Sequence, residues 1–108
     1  MAEVKEIDAA TVKAWIDAGE AVLVDVRERE EFDQARIPGA TLVPMSSFDP
    51  ADLPRSEGRK LVFHCAVGQR SHSVAEYVLN EGVVDEAYNM TGGIQAWAAA
   101  GLPVESGG

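Results

Sequence analysis

A three-layer α/β/α domain, with helices on both faces of a parallel sheet, is the fold class that this 108-residue sequence predicts. Three observations predict it. Apolar, β-branched runs alternate with segments of helical spacing along the whole chain. None of the links between strand candidates is a two-residue hairpin, so right-handed crossovers are the economical connection. Ala21 to Val26 is apolar nearly throughout, as a strand covered on both faces must be. With 46% hydrophobic residues, ten Gly and five Pro, the composition is that of one ordinary domain. At this length it can bury somewhat over roughly 60% of its unfolded surface without a metal or disulfide. Residues 1–104 are expected to form that domain and 105–108 a short flexible tail.

The elements follow in order. Asp8 precedes a stripe of Val12, Trp15 and Ile16 that ends at Gly19, which predicts a capped amphipathic helix. The strand Ala21 to Val26 comes next, then a short helix over Glu28 to Gln34. Ile37-Pro38-Gly39-Ala40 is a turn, since Pro sets φ at one position and Gly allows a positive φ at the next. Thr41 to Val43 is a short strand, and Pro44 to Gly58 a surface connection with one helical turn around Asp49 to Leu53. Lys60 to His64 is a buried strand. Ser71 to Asn80 carries Val74, Tyr77 and Val78 at helical spacing, with Gly82 just beyond its end. Val84 to Tyr88 is the last strand, and Gly92-Gly93 leads into a helix from Ile94 to about Ala100. Trp15 and Trp97 are core candidates.

Nine basic residues against eighteen acidic ones give a net charge of −9, which argues against a nucleic acid or an anionic membrane as partner. The densest acidic run, Glu28-Arg29-Glu30-Glu31, reads as a solvated helix face. No stretch approaches the roughly 20 apolar residues of a membrane span, and the acidic, polar start of the chain is unlike a signal peptide. A soluble, cytoplasmic protein is expected. The lone cysteine, Cys65, excludes an intramolecular disulfide, and with two histidines it fits no common zinc pattern. No metal or cofactor is expected.

Phe63-His64-Cys65-Ala66-Val67-Gly68-Gln69-Arg70-Ser71 is the informative segment. It runs strand, loop, helix, and in an open parallel sheet ligands bind beyond the carboxyl ends of the strands. A thiol there lies among backbone N–H groups that lack an intrahelical partner. The helix N-terminus and the charge of Arg70 are both expected to favour the thiolate, and residues Ala66, Val67, Gly68, Gln69, Arg70 and Ser71 to hold an anion on the sulfur. A lone cysteine in an apolar strand is more often a small buried hydrophobe, but such a residue needs no Gly68, Arg70 and helix start behind it. His64 alternates to the opposite side of its strand and reads as a core histidine, and His72 as a surface residue. Asp25 and Arg27 follow the neighbouring strand and are read as a charged network under or beside the loop.

Leu23-Val24-Asp25-Val26-Arg27-Glu28, Ile37-Pro38-Gly39-Ala40, Cys65-x-x-Gly68-x-Arg70-Ser71 and Gly92-Gly93-x-x-x-Trp97, in that order over nearly the whole chain, resemble rhodanese domains. The resemblance implies a five-stranded parallel sheet and a single-domain sulfurtransferase. Its cysteine would carry sulfur as a persulfide, taken from a small sulfur-containing anion such as thiosulfate or from a persulfide donor. The acceptor would be a thiol, cyanide or a protein cysteine. Two positions depart from the pattern: Ala66 stands where thiosulfate users often have a basic residue, and Ala35-Arg36 where Gly-His often precedes the turn.

Two other functions compete. His64-Cys65 with Gly68 and Arg70 is similar to the His-Cys-x5-Arg signature of cysteine phosphatases and arsenate reductases, yet four residues, not five, separate Cys65 from Arg70. A ring of N–H groups around a phosphoryl group must be wider than one around a single sulfur. The other rival is a binding or regulatory module without turnover; domains of that kind often lack the cysteine, which is present here.

Overall fold

A computed structural model describes residues 3–106. Five strands, β1 (Lys5–Ile7), β2 (Ala21–Asp25), β3 (Thr41–Leu42), β4 (Lys60–His64) and β5 (Tyr88–Met90), form one parallel sheet in the order β1-β5-β4-β2-β3. Helices α1 (Ala9–Asp17), α2 (Arg29–Gln34) and α3 (Gln69–Asn80) lie between successive strands, α4 (Gly93–Ala99) follows β5, and two 3-10 turns occupy Met45–Ser47 and Pro50–Asp52. The parallel α/β architecture and its five strands are as expected. Alternation along the central strands builds two cores. Leu23 and Val62 point to one face, where Val12 of α1 and Trp97 of α4 cover them. Val24 and Phe63 point to the other, against Val74, Ala75 and Val78 of α3. Both faces being buried is why these strands are apolar without interruption. Each such side chain contributes about 1.5–3 kcal/mol relative to exposure.

Local chemistry sets the element ends. Asp8 caps α1 by accepting the Thr11 N–H at 2.9 Å. Glu28 and Glu31 form a reciprocal capping box on α2. The sequence expectation differs from the structure at four places. β1 escapes it: Lys-Glu-Ile is a polar, three-residue edge strand, and it exists because β5 offers an edge at Lys5↔Tyr88 to Ile7↔Met90. The last strand is Tyr88–Met90, not Val84 to Tyr88, because the Val83 and Val84 N–H groups turn back to the Val78 carbonyl at the end of α3. Helix α3 begins at Gln69, two residues before Ser71, because Gly68 at φ +98 reverses the chain as N-cap. Glu105, assigned to the tail, exchanges two backbone hydrogen bonds with Arg36 at 2.9 Å each; Gly107 and Gly108 lie outside the described residues. Among the described residues no helix is long and apolar enough to cross a membrane.

Candidate active site

The parallel register places Asp25 beside His64, so β2 and β4 end together and Cys65 emerges next to the Asp25–Arg27 segment. The loop that follows is held from behind by α4. Ile94 N–H donates to the Cys65 carbonyl at 2.9 Å and Gln95 N–H to the Ala66 carbonyl at 3.2 Å. In a trans peptide the N–H points opposite to its C=O, so tying these carbonyls to α4 turns the next N–H groups, those of Ala66 and Val67, away from α4. Gly93 permits that contact, since a Cβ there would stand 2.3 Å from the Cys65 oxygen.

The Cys65 sulfur accepts hydrogen bonds from Gly68 N–H at 3.1 Å, Ser71 N–H at 3.4 Å and the Ser71 hydroxyl at 3.4 Å. Cys65 is only 1% exposed. Burial pushes its pKa up, but the Ser71 hydroxyl and the Ser71, Gly68 and Val67 N–H groups together outweigh burial and bring it below the ordinary thiol value. Ser71 has one hydroxyl hydrogen and a closer acceptor, Asn89 Oδ1 at 2.5 Å. The Asn89 amide donates in turn to the Gly68 carbonyl at 2.9 Å and to the Glu6 carboxylate at 3.1 Å. Glu6 also accepts from Thr91 Oγ1 at 3.0 Å and lies 2.5 Å from His72 Nδ1. A polar chain thus runs from the sheet edge to the sulfur. Beside it is a cavity of about 310 Å³ lined by Glu6, His72, Thr91 and Gly68 among others.

Of the residues singled out by sequence, Cys65, Gly68 and Ser71 meet at the sulfur, with the Val67 N–H beside them. The Ala66 carbonyl is turned to α4, the Val67 side chain is exposed, and Gln69 opens α3. Asp25 and Arg27 form a buried pair beneath the strand end. The Asp25 carboxylate accepts Arg27 Nη2 at 2.7 Å, Nε at 3.0 and 3.1 Å, and the Arg27 backbone N–H at 2.9 Å. Arg27 Nη2 also donates to the Ala35 carbonyl at 2.7 Å, which ties the end of α2 to the sheet. His64 is fully buried, with Nδ1 3.2 Å from the Cys65 carbonyl and Nε2 3.6 Å from Asp25. Burial outweighs the neighbouring carboxylate and lowers its pKa.

Arg70 departs from expectation. Its guanidinium forms a two-bond pair with Glu31, Nη1 to Oε1 at 2.8 Å and Nη2 to Oε2 at 2.9 Å, so its charge is compensated. That pair, opposed by partial burial, holds the Glu31 carboxyl down to about 2 and raises the Arg70 pKa. The Glu28 to Glu31 run is therefore no purely solvated face, and Glu31 joins the candidate site, a contact that sequence reasoning missed. Asn89 and Glu6 were missed as well. All three reach the loop only through tertiary contact, and no local spacing marks them.

Comparison with known proteins agrees with this geometry. The chain is 34% identical over 104 residues to a sulfurtransferase of Allochromatium vinosum, covering 94% of each. It is 38% identical over 82 residues to an uncharacterized protein of Synechocystis, 76% of this chain but only 45% of that longer protein. A rhodanese-related protein of Thermoplasma volcanium superposes with a TM-score of 0.78 at 29% identity, over 94% of this chain and 97% of that one. The family model for the Rhodanese-like domain matches residues 8–100, and the chain belongs to that family.

Proposed function

We propose that this domain is a sulfurtransferase in which Cys65 carries sulfane sulfur as a persulfide. The observation that carries the reading is the thiol buried at a strand end with Gly68 N–H and Ser71 N–H directed at its sulfur. Those donors favour the thiolate and remain in place for the anion that replaces it. The Cys65 thiolate attacks the outer sulfur of a donor; with thiosulfate the S–S bond breaks, sulfite leaves with the bonding pair, and Cys65–S–S⁻ remains. Cyanide or an acceptor thiolate then attacks the terminal sulfur and releases the Cys65 thiolate. Two negative charges enter with thiosulfate and two leave with sulfite, so no proton or oxidant is needed. The sulfurtransferase name of the Allochromatium vinosum relative supports the same chemistry. A cytoplasmic location, where thiols stay reduced, suits a single free cysteine.

Intact mass spectrometry tests this. After incubation with thiosulfate the protein should gain one sulfur atom, lose it on adding cyanide, and do neither as Cys65→Ser, whose hydroxyl does not ionise near neutral pH. A Cys65→Ser protein that retained more than a few per cent of thiocyanate formation would overturn the covalent mechanism.

A further inference from the structure

The anion-holding loop carries one arginine, and that arginine is already occupied. Arg70 sits in the first turn of α3, beside Ser71 whose N–H donates to the Cys65 sulfur, and both its terminal nitrogens are bonded to Glu31. Glu31 is itself fixed, because Oε1 also accepts the Glu28 N–H at 3.0 Å and the Glu31 carbonyl lies 3.5 Å from Arg27 Nη1. The other nearby arginine, Arg27, is buried and spent on Asp25. An anion approaching the sulfur therefore meets neutral N–H donors and a neutralised pair, in a chain of net charge −9.

We infer that Glu31 is a specificity-determining residue: by holding Arg70 it selects sulfane-sulfur donors with at most one negative charge at the transferable end over dianionic ones. This rests on the sulfur-transfer reading above. A persulfide or a thiosulfonate belongs to the favoured class and thiosulfate does not. Removing the Glu31 charge should help each donor in proportion to its own charge, since Coulomb energies scale with the product of charges.

The test compares thiosulfate with methanethiosulfonate, in which a methyl group replaces one anionic oxygen. Both sulfurate a thiolate, releasing sulfite and methanesulfinate respectively, and variant-to-parent ratios cancel their different intrinsic reactivities. Glu31→Gln should raise kcat/KM about fivefold for thiosulfate and about twofold for methanethiosulfonate, the scale of a partly exposed charge contact. The gain should lie in KM and shrink at high salt. Arg70→Gln, which leaves Glu31 bare, should lower kcat/KM about fivefold for thiosulfate but only about twofold for methanethiosulfonate, and it serves if Glu31→Gln does not fold. Equal changes for the two donors, or no change, would overturn the inference while leaving sulfur transfer intact. If neither donor adds sulfur to Cys65 in the parent protein, the sulfur-transfer reading itself falls, and this inference with it.

Discussion

Two acid–arginine pairs flank the cysteine, and they differ chiefly in their access to water. Asp25–Arg27 lies under the strand ends with side chains 0% and 5% exposed, whereas Glu31–Arg70 lies at the loop with both side chains 36% exposed. In the buried pair the charges are met inside the protein: four donor contacts from Arg27 converge on Asp25, and two further guanidinium contacts reach the carbonyls of Glu31 in α2 and of Ala35 at its end. That pair acts as a structural clamp. In the half-exposed pair water screens the attraction, so its contribution to stability is small, but its charges stay visible to an anion at the sulfur. The same two residue types thus meet two different environments, and burial decides how much of each pair's charge water screens.

The largest expected effect comes from breaking the buried pair. Arg27→Ala leaves Asp25 buried with no cation, only the backbone N–H of residue 27 and the neutral His64 ring 3.6 Å away, and should destabilise the domain by about 3–5 kcal/mol in urea unfolding. The double variant Asp25→Asn, Arg27→Met, which leaves no bare charge, should lose less than Arg27→Ala alone. Equal losses would mean that the clamp acts by packing and not by charge.

Smaller effects separate the half-exposed pair from it. Ala66→Arg places at the loop a cation that Glu31 does not already hold, and should raise kcat/KM for thiosulfate about fivefold at low salt, with little change in unfolding free energy. Arg70→Gln should cost no more than about 1 kcal/mol in the same urea experiment that shows the full loss for Arg27→Ala. A loss as large as that of Arg27→Ala would erase the distinction between the pairs.

The smallest effect is a dependence on pH. Glu31 titrates at about 2 in the folded protein and near roughly 4.3 when unfolded. Its stabilising contribution is therefore complete above the unfolded value and is lost as pH falls through the folded one. The parent should exceed Glu31→Gln by up to about 1 kcal/mol near neutral pH, discounted for the exposure of the pair, and this difference should fade between about pH 5 and about pH 2. A difference that did not change with pH would show that Glu31 contributes through its α2 capping bond rather than through Arg70.

The amino-acid sequence by itself determined the layers and the place of the cysteine loop. Continuous apolar runs such as Leu61-Val62-Phe63, helical stripes such as Val12-Trp15-Ile16 and the Gly68 turn are local codes, legible because backbone geometry fixes which side chains share a face. Tertiary structure decided the rest. A polar three-residue edge strand, Lys5–Ile7, has no local signature and exists because β5 leaves an edge unpaired. Asn89 reaches Ser71 and Gly68 only because the register of β5 on β4 starts at Tyr88 and not at Val84. Arg70 could be read as a free charge from its place in the loop, since nothing nearby in the sequence opposes it. Its partner, Glu31, comes from α2, 39 residues earlier in the chain, and long-range electrostatic pairing of this kind leaves no periodicity in the chain.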